Sequence, residues 1–208
     1  MCSHTLTSAF IDIMGSFKRF IEFKIPVYCV ILSLYVLITY CHRDFDAVAY
    51  ILLTGERGSG KTTALDIFRR LSPSTPRLSS MLSSAAFYRA INKHPELIIF
   101  DEVHESRSES WHKIETVLLN GYRADGVVLL ADKKDATSLL EYDVYGPKLL
   151  ANIEGLKNKA ILSRIINIPM YKREKPGERL LFTRDGQLLK QKKRGLKNSL
   201  PMRLSIRK

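Results

Sequence analysis

Cysteine is scarce in this sequence, and the arrangement of the few cysteines excludes two common ways of stabilising a small fold. The three cysteines, Cys2, Cys29 and Cys41, form no C-x-x-C pair, and no histidine lies at metal-ligand spacing beside them. Cys29 and Cys41 fall in an apolar run, where cysteine behaves as a small hydrophobic residue. We therefore expect no disulfide framework, no zinc site and a reducing, cytoplasmic environment.

Long hydrophobic segments are also lacking. The longest uncharged run covers residues 25–42, which is the threshold length for a transmembrane helix, but Pro26 and Thr39 shorten its fully apolar part. The basic residues before the run, Lys24 among them, would keep the N-terminus cytoplasmic, and a single span would then export everything that follows. A buried helix packed against the rest of the domain is the preferred interpretation, and a membrane span is the disfavoured alternative.

Acidic residues are scarce only in the last part of the chain. Residues 171–208 contain 13 lysines and arginines against 3 acidic residues, whereas residues 1–170 are nearly balanced, with 20 against 18. Such a segment suits a polyanion, either nucleic acid or an acidic membrane surface, and a solvated terminus is an equal alternative. Because its densest part lacks interleaved aromatics, we expect electrostatic binding with little base readout and a steep salt dependence. That densest part consists of Lys190, Lys192, Lys193 and Arg194.

The remaining composition is typical of a folded domain. A length of 208 residues is enough for one α/β domain with a full core. The content of hydrophobic residues, 45%, and of charged residues, 26%, is ordinary for such a domain. The apolar patterns predict strands that alternate with helices, and therefore a mostly parallel sheet flanked by helices. The predicted helices are residues 5–22, 27–41, 62–71, 85–92 and 109–120, and the predicted strands are residues 50–54, 97–100, 127–131, 148–153 and 161–168.

A glycine-rich motif follows the first predicted strand. Residues 55–62 read GERGSGKT, which matches the pattern G-x-x-x-x-G-K-[ST] in full, between a strand and a helix as that pattern requires. The glycines let the loop curl so that its N–H groups point at phosphate oxygens, and the helix N-terminus adds a favourable partial charge. Lys61 would reach the β- and γ-phosphates, and the Thr62 hydroxyl would bind Mg²⁺. The predicted nucleotide-binding residues are Gly55, Glu56, Arg57, Gly58, Ser59, Gly60, Lys61, Thr62 and Thr63.

Two acidic residues follow the second predicted strand. Asp101 would hold the hydration shell of Mg²⁺, and Glu102, one residue on, would polarise the attacking water. An acidic strand terminus without a catalytic role is the alternative. The sequence DEVH that begins here is also found in helicases with two motor domains, but the interval of 40 residues from Lys61 to Asp101 is short for that class.

With these motifs in place, the chain resembles the ATPase domain of phage and plasmid replicative primase–helicases, on the superfamily III side of the AAA+ class. The resemblance runs from about residue 20 to residue 170. Besides the two nucleotide motifs, it includes LLNGYR at 118–123, YGPKLLAN at 145–152 and ILSRI at 161–165. Ser163 departs from the family, which often has an aspartate at that position.

The resemblance implies roles for three further residues. Asn152 corresponds to sensor 1, whose amide would hold the attacking water or the γ-phosphate, although a polar residue that merely closes a strand is the alternative. Arg164 is the first candidate for an arginine that completes the nucleotide site of a neighbouring subunit. Arg123 is its rival, and a purely structural ion pair is the third possibility.

The sequence therefore predicts three parts and one leading function. The parts are an N-terminal helical segment (1–46), an ATPase domain (47–170) and a basic, flexible tail (171–208). The leading function is an ATP- and Mg²⁺-dependent motor on nucleic acid, with single-stranded DNA as the expected substrate. It would act as a homo-oligomeric ring in the replication of a mobile element or virus. The alternatives are a non-helicase ATPase, such as a loader or protein remodeller, and a nucleotide-binding protein without turnover.

Overall fold

The structure, a computed structural model, describes residues 5–76, 83–132, 137–173 and 184–199, in two compact units. Unit 1 draws on residues 1–41, 55–73 and 169–208, and unit 2 on residues 42–54 and 74–168. The helices are α1 (Leu6–Phe20), α2 (Val27–Cys41), α3 (Lys61–Leu71), α4 (Ser84–Lys93), α5 (Glu109–Asn120), α6 (Lys159–Leu162) and α7 (Arg184–Ser199). The strands are β1 (Tyr50–Thr54), β2 (Ile98–Phe100), β3 (Val127–Ala131), β4 (Leu139–Asp143), β5 (Lys148–Asn152) and β6 (Ile165–Pro169).

A four-stranded sheet organises unit 2, in the order β2-β5-β1-β6. Strand β5 pairs in parallel with both neighbours, so that Leu149 lies opposite Ile51 on one side and Ile99 on the other. The strands β1, β2 and β5 are almost continuously apolar and buried, as expected for parallel strands covered on both faces. The predicted α/β fold with a mostly parallel sheet is confirmed.

Helix α5 contributes much of the core beside this sheet. Its apolar face is formed by Trp111, Ile114, Val117 and Leu118, and it is buried or partly buried in one cluster that also contains residues of β1, β2 and β5. Trp111, Val117 and Leu118 are each less than 6% exposed. A helix with this spacing of apolar residues is stabilised mainly by such burial rather than by its own propensity.

A two-stranded antiparallel hairpin, β3-β4, precedes β5. Its register places Leu129 opposite Glu141 on one face, while Val128 and Tyr142 on the other face join the core of unit 2. The sequence predicted β3 but not β4. Strand β4 (LLEYD) was missed because it has one buried face only, and its charged residues hide the apolar alternation.

The strand predicted over residues 161–168 is wrong in its first part. Residues 159–162 form the short helix α6, and the strand β6 begins at Ile165. The helix forms because the side chain of Asn158 caps it: Oδ1 accepts hydrogen bonds from the amides of Ala160 and Ile161, at 2.9 and 3.4 Å.

Unit 1 is helical around the ring of Phe68 on α3. Its centroid lies 5.3 Å from that of Phe17 on α1 and 6.1 Å from that of Tyr35 on α2. The Tyr40 hydroxyl also donates to the carbonyl of Leu71, which ties the end of α2 to the end of α3. Across the described ranges, every helix falls short of the length and apolarity needed to cross a membrane.

Helix α7 lies within the segment 171–208, for which the sequence predicted a flexible tail. Leu189 and Leu196, seven residues apart, are buried at 1% and 2% exposure. A Cβ at Gly186 would lie 2.5 Å from a guanidinium nitrogen of Arg70, so α7 approaches α3 closely there. These apolar anchors explain why residues 184–199 form a packed helix despite their charge. The predicted divisions near residues 46 and 170 differ from the limits of the two units and stay a prediction.

Candidate nucleotide site

The glycine-rich loop of unit 1 connects the end of β1 to the start of α3. Gly58 and Gly60 adopt left-handed φ angles of 80° and 92°, which side chains rarely tolerate, and Gly60 is the N-cap of α3. The Lys61 side chain folds back over the loop, where its Nζ donates to the carbonyl oxygens of Glu56, at 2.9 Å, and of Gly55. The loop therefore has the curled form that the motif predicts.

Two further features of the loop fit a phosphate ligand. The Ser59 hydroxyl is buried and has no hydrogen-bond partner among the residues described, so it can bond to a ligand oxygen. At Gly55, an added Cβ would lie 2.2 Å from the Met170 carbonyl oxygen, so only glycine fits where the loop begins. Backbone amides, the N-terminus of α3 and the Ser59 hydroxyl are donors of the kind that bind anions.

The charges around the loop are mostly positive. Lys61 and Arg57 belong to the loop itself, and Lys172 follows β6 within unit 1. The one loop carboxylate, Glu56, pairs with Lys172, with 3.0 Å between Oε2 and Nζ. Both partners are more than half exposed, so this pair contributes little to stability, but it offsets a charge that would repel a nucleotide. Thr62 is exposed and Thr63 half-buried, so the Thr62 hydroxyl is accessible to a metal ion.

The acidic pair lies in unit 2, directly after β2. Asp101 and Glu102 are both exposed. Phe100 pairs with Leu150, so a regular parallel ladder would next bring the amide of residue 102 to the carbonyl of Ala151. The amide of Val103 makes that hydrogen bond instead, at 3.0 Å. One extra residue is thus inserted at the end of β2.

The inserted residue is Glu102, and its backbone is strained. Its φ angle is 53°, and within the described part of the chain it is the one non-glycine residue with a positive φ. Such a conformation is uncommon for glutamate and persists where the surroundings enforce it, which is frequent at functional sites. No sequence pattern indicated this strain.

Asn152 ends β5, the neighbour of β2 in the sheet, and lies opposite Thr54 of β1. Its Nδ2 donates to the carbonyl of Gly155 at 2.7 Å, and its Oδ1 accepts from the Gly155 amide at 2.8 Å. The side chain therefore closes the turn after the strand, which is the alternative that the sequence left open. Its role as a sensor stays a prediction.

The two candidate arginines of unit 2 differ in their surroundings. The Arg164 guanidinium donates to the carbonyls of Leu118, at 3.1 Å, and Leu119, and it lies 5.6 Å from the centroid of the Tyr122 ring. It thus caps the C-terminus of α5, where cations are favoured. The Arg123 side chain is 75% exposed, and its Nε lies 3.9 Å from Oδ1 of Asp125, which is 85% exposed.

Sequence reasoning missed a buried lysine at the start of β5. Lys148 is 1% exposed, and its ammonium group donates to the carbonyls of Val144 (2.7 Å), Gly146 (2.8 Å) and Gly121 (3.3 Å). It also lies 5.1 Å from the centroid of the Tyr50 ring. Burial lowers the pKa of Lys148 to about 7, because desolvation disfavours the charged form. The sequence offered no signal beyond a lysine flanked by Gly-Pro and an apolar run.

The predicted nucleic-acid-binding residues of α7 fall into two groups. Lys190 and Arg194 are exposed, and so is Lys197, which continues the same face of the helix. Lys192 is half-buried, and its Nζ donates to the Asp12 carbonyl at 2.9 Å and to the Ser16 hydroxyl at 3.1 Å. Lys193 is half-buried as well. The exposed face is thus the part of α7 able to meet a polyanion.

The chain is similar to known proteins in its fold rather than in its sequence. No protein-family model matches the sequence, and no curated protein matches it either. Among solved structures, the chain is similar to the apo NrS-1 C-terminal region (305–718), with a TM-score of 0.52 and 14% identity over 91% of this chain and 45% of that one. The A form of the same region gives a TM-score of 0.51 and 12% identity, over 93% and 44%.

A third solved structure is that of JCV helicase with a bound small molecule. Its TM-score is 0.49 and its identity 15%, over 94% of this chain and 53% of that one. This chain therefore spans about half the length of these three structures, and at such identities the similarity to the NrS-1 region is one of fold alone.

Proposed function

We propose that this chain is an ATPase that requires Mg²⁺ and uses hydrolysis to do work on nucleic acid, as a helicase-like motor in the replication of a mobile element or virus. The observation that carries the proposal is the glycine-rich loop. A complete motif is folded there with left-handed glycines at positions 58 and 60, a lysine that opens a helix, and a buried hydroxyl that no described residue hydrogen-bonds. This combination of backbone and side-chain donors suits a nucleoside triphosphate.

The residues divide the chemistry between them. Lys61 and the loop amides would bind the phosphates, and the residues that would hold Mg²⁺ are Thr62, through its hydroxyl, and Asp101, through its carboxylate. When bound, Mg²⁺ offsets the charge that develops on the phosphate oxygens. Glu102 accepts a proton from the attacking water, and its left-handed backbone, a conformation that is frequent at functional sites, supports this role. Asn152 remains the candidate that contacts the water or the γ-phosphate.

A neighbouring subunit is proposed to complete the site with an arginine. Such an arginine is worth about 10³–10⁵ in rate in other phosphoryl-transfer enzymes. Arg123 suits the role better than Arg164, because Arg123 is exposed and Arg164 is bonded to its own α5. A homo-oligomeric ring is the assembly that presents one such arginine to each site.

The proposal of a nucleic-acid substrate rests on α7 and on the resemblance to replicative helicases. The exposed basic face of α7, formed by Lys190, Arg194 and Lys197, contains cations but no aromatic residue. It suits the phosphates of single-stranded DNA without reading their bases.

ATP turnover, measured with and without single-stranded DNA, tests the proposal, with Lys61→Ala as the control for contaminating activity. Turnover that DNA stimulates supports a nucleic-acid motor. Turnover that DNA leaves unchanged would support the loader or protein remodeller instead. A wild-type rate equal to that of Lys61→Ala would overturn the proposed ATPase.

A further inference from the structure

Glu105 connects two loops of unit 2 that follow neighbouring strands. Its Oε1 accepts hydrogen bonds from the backbone amides of Lys157, at 2.8 Å, and Asn158, at 2.9 Å. Glu105 belongs to the loop after β2, and its two partners belong to the loop after β5. One carboxylate therefore fastens the two loops together, through charge-assisted hydrogen bonds that are stronger than neutral ones.

The candidate catalytic residue Glu102 lies in the first of these loops, and Asn152 ends the strand that leads into the second. Between Glu102 and Glu105, Val103 is buried at 2% exposure and bonded to β5. In the other loop, Leu156 is buried at 8% exposure in the same core cluster as Val103. Each loop is thus fixed by one core side chain, Val103 or Leu156. The Glu105 carboxylate joins the two loops at residues that follow these core positions in the sequence.

The loop segment that donates to Glu105 is itself held in place by side-chain hydrogen bonds. The Asn158 side chain caps α6 through Oδ1 and donates through Nδ2 to Glu115 Oε1 of α5, at 2.9 Å. Because Asn158 is bonded to two helices, the amides that hold Glu105 belong to a well-supported part of the unit rather than to an isolated loop.

We infer that Glu105 is a positioning residue, which keeps Glu102 in its left-handed conformation and so keeps the Glu102 carboxylate directed at its substrate; this inference rests on the proposed function. A strained conformation persists only when its surroundings over-determine it. Upstream of Glu102 the β2 ladder provides that constraint. Downstream, the constraint comes from the buried Val103 and from the two hydrogen bonds that Glu105 accepts. Without them the loop would relax to a conformation that glutamate prefers.

The kinetic test compares Glu105→Ala with Glu105→Gln in the full chain. The alanine variant loses the acceptor, and we expect kcat to fall by about 10²-fold, the size typical of a small misplacement, while the affinity for ATP is unchanged. The glutamine variant keeps an acceptor oxygen and should recover most of the rate. The matched control is Glu154→Ala, which removes an exposed carboxylate from the same loop as Lys157 and should leave kcat unchanged.

Amide hydrogen exchange supplies a readout that does not depend on activity. Exchange at the Lys157 and Asn158 amides should quicken in Glu105→Ala and stay slow in Glu105→Gln and Glu154→Ala. Glu105→Asp keeps the charge but has a shorter side chain, so it should show a smaller fall in kcat and a smaller increase in exchange. This variant replaces Glu105→Ala in the test if the alanine variant does not fold. A normal kcat in Glu105→Ala or Glu105→Asp with quickened exchange overturns the inference.

Failure of this inference is distinguishable from failure of the proposed function. If the wild-type chain does not hydrolyse ATP, the proposed function fails. If the wild-type chain hydrolyses ATP, Glu102→Gln does not, and Glu105→Ala turns over normally, only the positioning role of Glu105 fails.

Discussion

Replacing Arg164 by methionine should lower the free energy of unfolding substantially, because the guanidinium caps α5 from within the same unit. The change removes charged hydrogen bonds to the carbonyls of Leu118 and Leu119, each worth about 1.5–3 kcal/mol. It also removes a favourable cation at a helix C-terminus, about 0.3–1 kcal/mol, and the contact with the Tyr122 ring, about 0.5–1 kcal/mol. Such terms are not additive, so we expect a net loss of roughly 2–4 kcal/mol.

The assay is urea unfolding followed by circular dichroism. For a slope of about 2 kcal/mol per molar, a loss of 3 kcal/mol moves the midpoint by about 1.5 M. Arg123→Met is the matched control, since Arg123 is exposed and its ion pair is long, and its midpoint should move by less than about 0.3 M. If Arg164→Met unfolds at the wild-type midpoint, the capping role of Arg164 is wrong.

Mixing experiments then identify the arginine that acts between subunits. Arg123→Ala and Lys61→Ala proteins, each inactive alone, should regain partial ATPase activity when mixed, because some interfaces pair an intact loop with an intact arginine. If Arg164→Ala complements Lys61→Ala instead, and is as stable as the wild type, then Arg164 is the arginine that acts in trans.

Three further predictions concern stability, nucleotide binding and DNA binding. Because the folded-state pKa of Lys148 is about 7 against an ordinary 10.5, the unfolded chain binds more protons between those values. The free energy of unfolding should therefore rise by roughly 2 kcal/mol from pH 7 to pH 9, but not in Lys148→Met, and a flat wild-type profile would contradict the lowered pKa. Gly55→Ala should weaken ATP binding in a titration, since the added Cβ would meet a carbonyl oxygen. The control is Gly15→Ala, whose added Cβ would meet no atom within 4 Å and which should bind ATP normally. Equal ATP affinities of the two variants would refute this prediction. Replacing both Lys190 and Arg194 by alanine should reduce the salt slope of DNA affinity by about 1–2, and an unchanged slope would exclude this face as the binding surface.

Strands β1 and β2 and the glycine-rich loop could be predicted because their signals are local. Strand β1 is a short apolar run, and the glycines and Lys61 that follow it are contiguous. Their order alone fixes a strand, a curled loop and a helix. The same holds for β2 and the two acids after it.

The surroundings of the other candidate residues could not be predicted, because they depend on contacts between distant parts of the chain. The carbonyl that accepts from Arg164 belongs to Leu118, 46 residues earlier in the sequence. The strain at Glu102 depends on the register of β2 against β5, and Lys148 is bonded to Gly121 across the unit. A local sequence pattern encodes neither the register between two strands nor a contact with a turn 27 residues earlier in the chain.

Two helices were missed for a different reason, which is that other signals dominated. In α7 the lysines and arginines favoured a solvated tail, although Leu189 and Leu196 recur at helical spacing. In α6 the apolar residues 161–162 and 165–166 favoured a continuous strand, although Asn158 is a good helix N-cap.

The central claim, that this chain hydrolyses ATP through Glu102 on a nucleotide held by Lys61, is tested most directly by measuring ATP affinity and turnover together in two variants. Glu102→Gln should bind ATP with wild-type affinity while its turnover falls by about 10²–10⁴-fold, because positioning survives and water activation does not. Lys61→Ala should lose tight ATP binding itself. Wild-type turnover by Glu102→Gln, or wild-type affinity in Lys61→Ala, would contradict the account.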